Sequence, residues 1–142
     1  MNELASADYF RDAELSYSDA RQRFYQQRKD HIRLRDMVLA MDTEMKDIEA
    51  ELVANNGTEG HPLDGRNAET RDAQLRTILK THHPYQQLQA RLITVRIDAA
   101  VAEVEAADAA NEMSLAKRRM DRGTAETQLE AATLMSRDYV TR

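Results

Sequence analysis

The sequence predicts an all-α protein: a long antiparallel coiled-coil helical hairpin with a short connecting helix, which we expect to assemble as a dimer or larger bundle. Ala, Glu, Lys, Leu and Arg supply 66 of its 142 residues, near the half that is typical of coiled coils and long helices. Glycine and proline, the strongest breakers of regular structure, are confined to residues 57–65, Pro84 and Gly123. Alanine alone supplies 21 residues, so bulky apolar side chains are scarce for a compact globular core.

The first element is a long helix over about residues 7–54. Apolar or aromatic side chains recur there at alternating steps of three and four residues, the seven-residue repeat of a coiled coil. Two polar residues, Gln27 and His31, interrupt the repeat. We predict that they form a polar layer that fixes the register of the helices, or that they lie at the edge and bond to solvent. The repeat is called the first seam, and its positions are Phe10, Ala13, Tyr17, Ala20, Phe24, Gln27, His31, Leu34, Val38, Met41, Met45, Ile48 and Leu52.

A loop over residues 55–66 and a short helix over about 67–82 follow. Asn67 is a good N-cap, and Glu69 lies in the first turn, where negative charge is favourable. Pro84 ends or kinks this helix, or lies in the first turn of the next one.

A second long helix is predicted over about residues 85–122. The repeat loses phase after Gly123, so residues of about 124–138 form either a separate short C-terminal helical segment or a continuation of this helix, all within one helical domain over 1–142. The repeat continues along this helix and is called the second seam: Tyr85, Leu88, Leu92, Val95, Ala99, Ala102, Ala106, Ala109, Met113, Ala116 and Met120.

Bulk and charge favour the same antiparallel register. Aligning residue 52 with residue 85 sets Tyr17 and Phe24 opposite the alanine-rich part of the second seam. It also sets the basic stretch 21–35 near the acidic stretch 98–112, which has five carboxylates and no base. We therefore expect these charges to pair within the fold or between protomers.

The residue types exclude several kinds of chemistry. The chain has no Cys, so disulfides and thiolate metal sites are excluded. We find no nucleophile–base pair, no phosphate-binding glycine loop and no metal-ligand spacing, which predicts a protein that is not an enzyme and needs no cofactor or metal. The longest apolar run, Met37–Met41, is far too short for a membrane span, so we expect a cytoplasmic protein.

Two basic clusters are the candidate partner-binding residues. Basic helices bind phosphates or acidic protein surfaces, but few aromatic residues are free to stack on nucleobases, so a protein partner is favoured over nucleic acid. The clusters comprise Arg21, Arg23, Arg28, Lys29, Arg33 and Arg35, and Lys117, Arg118, Arg119 and Arg122.

The segment Gly65-Arg66-Asn67-Ala68-Glu69-Thr70-Arg71-Asp72-Ala73-Gln74-Leu75, followed by Tyr85-Gln86-Gln87-Leu88, resembles a pattern in small helical coiled-coil proteins of phages and prophages. In that pattern an acidic residue is more usual at the position of His82-His83. The resemblance implies phage origin and a role at the level of protein interactions, in the host cytoplasm, and it transfers no catalytic residue.

These observations together predict a non-enzymatic interaction factor that docks on a host or phage nucleic-acid machine. It would inhibit a defence system, in the manner of an anti-CRISPR protein, by steric blockade or by displacing a subunit. One alternative is a direct nucleic-acid-binding or recombination accessory protein that uses the basic clusters. Another is a structural or scaffold protein of the virion.

Overall fold

The structure is a computed structural model that describes the backbone of residues 3–140 and the side chains of residues 8–137. Its helices are α1 (Glu3–Ala54), α2 (Ala68–Thr81) and α3 (His83–Val140), with 52, 14 and 58 residues. Two short strands, β1 (Gly57–Thr58) and β2 (His61–Pro62), pair antiparallel between α1 and α2. The expectation of an all-α protein is therefore confirmed, and the small β-hairpin lies inside the segment that was predicted to be loop.

Helix α3 continues through Gly123, from His83 to Val140, so the C-terminal segment is a continuation of the second long helix. Gly123 is buried, and a Cβ atom built on it would lie 3.3 Å from the ring of Tyr9 and 3.4 Å from the Cα atom of Phe10. A glycine inside a helix costs roughly 0.5–1 kcal/mol relative to alanine. It is accommodated here because the missing side chain leaves space for the tyrosine ring.

The residues group into two compact units, and the single helical domain stays a prediction. The terminal unit takes the chain up to Asp30 and from Ala102 onward, and the central unit is His31–Val101. Each unit contains part of α1 and part of α3.

The terminal unit buries small residues. Ala13 and Ala20 of α1 and Ala102, Ala109 and Ala116 of α3 are each less than 8% exposed. All five are seam positions, and within each helix they are seven residues apart. The aromatic seam residues Phe10, Tyr17 and Phe24 alternate with the two alanines along α1 and are half-buried. Small side chains at every seventh position allow two helix backbones to approach closely.

The central unit buries large aliphatic side chains in two clusters. One is built on Met41, Leu92 and Val95, and the other on Leu52, Ile78 and Leu79. The second cluster joins all three helices, because its residues come from α1 and α2 and it is packed by Tyr85 of α3.

Polar contacts fix the start of α2. Asn67 caps it, since its side-chain oxygen accepts a hydrogen bond from the backbone N–H of Thr70 at 2.8 Å. The Gln74 side chain donates to Asp64 at 2.8 Å and accepts from the N–H of Gly65 at 2.9 Å. A Cβ on Gly65 would lie 2.8 Å from the side chain of Thr70, so only glycine fits there without a shift. Much of the segment that resembles the phage pattern thus has a structural role.

The link from α2 to α3 is a single non-helical residue, His82. Its carbonyl oxygen accepts a hydrogen bond from the N–H of Gln86 at 3.0 Å, and Gln86 in turn donates to the carbonyl of Leu79 at 2.7 Å. Pro84 therefore lies in the first turn of α3, where its missing N–H leaves no hydrogen bond unmade.

Candidate interaction surfaces

The six basic residues of the first cluster are all exposed on α1. Arg23 forms an ion pair with Glu112 of α3. The guanidinium of Arg21 lies over the ring of Tyr25, 5.5 Å from its centre. A hydrogen bond with Tyr25 raises the pKa of Arg21 above its ordinary value. Within the described part of the chain, four others make no ion pair or hydrogen bond: Arg28, Lys29, Arg33 and Arg35.

Within one chain, the pairing of the basic stretch 21–35 with the acidic stretch 98–112 is limited, among the described side chains, to Arg23 and Glu112. Pairing of these stretches between protomers stays a prediction. Most of the positive charge on this part of α1 has no ion-pair partner among the side chains of residues 8–137. Exposed ion pairs contribute only about 0–1 kcal/mol each, so the cluster is not needed to stabilise the fold.

The second cluster lies on α3 and is also exposed. The Nε of Arg122 contacts Glu126, one turn further along the same helix, at 3.0 Å. Lys117, Arg118 and Arg119 have no such partner among the residues that the structure describes. Because neighbours on a helix point about 100° apart, these three cations spread around α3 and do not form one face.

Gln27 and His31 are half-buried, as seam positions at an edge would be. Neither side chain makes a hydrogen bond to a described residue. Gln27 also borders a shallow open depression on the terminal unit, together with Arg23, Tyr25 and Lys29. Whether the two residues fix the register stays a prediction.

The basic residues of α1 alternate with exposed apolar ones, a pattern that the sequence reasoning missed. Tyr25, Ile32 and Leu39 are seven residues apart and are 49%, 38% and 59% exposed. Arginines also recur every seventh residue between them. We call this surface the basic α1 face, and its residues are Arg21, Tyr25, Arg28, Ile32, Arg35 and Leu39. The steps of four and three residues could have been recognised in the sequence, but they were obscured by the stronger first seam.

A second exposed stripe lies on α3 and was also missed. Ile93, Ile97, Val101 and Val104 follow each other at steps of four, four and three residues, and each is more than half exposed. We call this surface the apolar α3 face. Its spacing places it on the side of α3 opposite the second seam.

The described residues contain no group of three or more His, Asp or Glu side chains placed to hold a metal ion. Nor does any helix in the described part of the chain have an apolar stretch that could cross a membrane. Comparison with models of protein families, with curated proteins and with solved structures gives no match for this chain.

Proposed function

We propose that this chain is a non-enzymatic protein-interaction factor in which α1 and α3 form an antiparallel coiled-coil hairpin and the chain assembles as a dimer or larger bundle. The contacts inside each unit support the antiparallel direction. In the terminal unit Tyr9 contacts Gly123 and Arg23 contacts Glu112. In the central unit the Arg96 Nη2 is 3.1 Å from Asp42, and the Tyr85 hydroxyl donates to Glu49 at 3.1 Å. In both units the residue number falls along α3 as it rises along α1.

The observation that carries the interaction proposal is the basic α1 face. Helices that dock into protein grooves present apolar anchors at positions such as i, i+4 and i+7, and charged residues beside the anchors set specificity. Tyr25, Ile32 and Leu39 supply such anchors, and Arg28 and Arg35 beside them have no ion-pair partner in the described part of the chain. The matching partner is a protein groove with an apolar floor and acidic rims.

The apolar anchors favour protein over nucleic acid. Phosphates attract arginine but offer no surface that would bury Ile32 or Leu39. In concrete terms, the partner would be a subunit of a host or phage nucleic-acid machine, and the outcome would be steric blockade of a defence complex or displacement of a subunit.

The test is affinity capture from infected host cells with matched variants, read by quantitative mass spectrometry. We expect the wild-type chain and the control Leu129→Asp, which alters an exposed residue of α3, to retain the same acidic protein. The double variant Ile32→Asp/Leu39→Asp should lose it while keeping its helical circular dichroism. Equal recovery by all three chains would contradict the proposal.

Direct nucleic-acid binding is the second candidate. It is favoured by exposed cations that have no ion-pair partner among the described residues: Arg28, Lys29, Lys117, Arg118 and Arg119. Such binding depends on counterion release, so retention of the chain on DNA or RNA would fall steeply between low and moderate salt. No retention at low salt would exclude this candidate and leave the protein groove as the partner.

A further inference from the structure

The apolar α3 face is an exposed stripe of aliphatic residues that is suited to bind another protein surface. Its four aliphatic residues Ile93, Ile97, Val101 and Val104 are 56%, 59%, 51% and 60% exposed. Small residues, Ala90 and Ala107, extend the same side of the helix at either end. A contiguous apolar stripe of this kind on a protein surface marks an interaction site.

The charges beside the stripe differ in sign between its two ends. Arg91 and Arg96 lie near its start, and Glu103, Glu105 and Asp108 lie near its finish. All five are exposed. Arg96 contacts Asp42, whereas Arg91 and Glu105 make no ion pair with any described residue.

We propose that the apolar α3 face pairs with the same face of a second copy of this chain, the two α3 helices running antiparallel across a two-fold axis near residues 98–99. This arrangement sets Ile93 against Val104 of the partner subunit and Arg91 beside Glu105 of the partner subunit. A parallel arrangement would set arginine against arginine and carboxylate against carboxylate, which is destabilising. A symmetric dimer needs one self-complementary patch, and a stripe that is basic at one end and acidic at the other is such a patch.

This inference rests on the dimeric or larger assembly proposed above, and it does not involve the basic α1 face.

The first test of the pairing is sedimentation equilibrium of the full chain over a range of concentrations. We expect a dimer for the wild type, and a dissociation constant at least about tenfold higher for Ile97→Asp, since a buried aliphatic anchor is replaced by a charge. Circular dichroism should be unchanged, because Ile97 is exposed within one chain. The matched control Leu39→Asp, on the basic α1 face, should dimerise like the wild type.

Two outcomes of this test overturn different statements. A wild type that is monomeric at every concentration overturns both the assembly and the pairing. A dimer that Ile97→Asp leaves unchanged overturns the pairing through this face alone.

The direction of the pairing is tested by charge and by cross-linking. Arg91→Glu and Glu105→Arg should each weaken the dimer, and the double variant should restore it. In this pairing the Asp98 side chains of the two copies approach each other at the axis, so Asp98→Asn should tighten the dimer.

Since the natural chain has no Cys, oxidation of a mixture of Ile93→Cys and Val104→Cys chains should yield the mixed disulfide dimer in preference to either self-linked one. Self-linking at Ile93 and at Val104 in preference to the mixed product would overturn the antiparallel direction.

Discussion

The terminal and central units bury different kinds of side chain along the same two helices. In the terminal unit the buried residues are seam alanines and Gly123, with aromatic rings half-buried beside them. In the central unit they are Met41, Leu52, Leu92 and Val95, joined by Ile78 and Leu79 of α2. A small residue removes little apolar area from water, whereas a buried leucine or isoleucine contributes about 1.5–3 kcal/mol. The difference indicates that the central unit depends on apolar volume and the terminal unit on close approach of backbones.

The largest expected effect is loss of volume in the central unit. Ile78 is only 2% exposed, and Ile78→Ala should lower the free energy of unfolding by about 2–5 kcal/mol through lost burial and the cavity left behind. Urea unfolding followed by circular dichroism measures it. The control Ile93→Ala alters a residue that is 56% exposed, and its effect on unfolding at monomer concentrations should be within about 0.5 kcal/mol. Equal effects at the two sites would contradict the packing described for α2.

Gain of volume should be the damaging change in the terminal unit. Ala109 is 3% exposed, and Ala109→Leu should destabilise by about 1–3 kcal/mol because the closely packed helices must separate. Ala107→Leu, on the exposed side of the same helix, is the matched control and should be nearly neutral at monomer concentrations. If the two variants unfold at the same urea concentration, the alanine seam does not pack as described.

A smaller effect is expected where Gly123 meets Tyr9. Gly123→Ala gains helix propensity of up to about 1 kcal/mol, but the added methyl group is 3.3 Å from the tyrosine ring, so part of the gain is lost. In a Tyr9→Ala background the full gain should appear. A double-mutant cycle on unfolding free energies measures this coupling, and strict additivity would show that the ring does not limit residue 123.

The smallest effect concerns pH and the central unit. Burial and the hydrogen bond to Glu49 raise the pKa of Tyr85. The folded state therefore favours the neutral phenol, and this contribution is present below the ordinary tyrosine pKa near 10 and is lost as the pH rises through the folded pKa. Urea unfolding at pH 8 and pH 11 should show a smaller loss of stability for Tyr85→Phe than for the wild type. The same loss in both chains would mean that other groups account for the alkaline effect.

The helical class and the cap of α2 could be predicted from local signals alone. The absence of breakers marks the long helices, and the N-cap position of Asn67 depends only on residues within one turn. Whether the second long helix ends at Gly123 could not be decided in this way, because the place of Gly123 in α3 depends on Tyr9, more than a hundred residues away in the chain. The β-hairpin was missed for a different reason, since two-residue strands have no periodicity to detect.

The candidate surfaces were predicted only in part. The basic residues of α1 are exposed, and within one chain the described residues show only the Arg23–Glu112 pair between the basic and acidic stretches, while pairing between protomers stays a prediction. Ion pairs depend on the direction in which long side chains point, and the order of charged residues along the sequence does not determine this direction. The apolar residues interleaved with Arg28 and Arg35 were visible in the sequence, yet their meaning depends on knowing which side of the helix the first seam occupies.

The antiparallel pairing of α1 and α3 is tested most directly by cross-linking within one chain. Arg23→Cys and Glu112→Cys introduce two thiols at positions whose natural side chains form an ion pair, and a short bismaleimide should join them within the monomer at low protein concentration. The control pair Arg23→Cys and Gln128→Cys places the second thiol 16 residues further along α3, about 24 Å away at 1.5 Å per residue, and should not be joined. Efficient intrachain cross-linking of the 23–112 pair alone is the predicted result. Cross-linking of the control pair, or only between chains, would contradict the antiparallel hairpin.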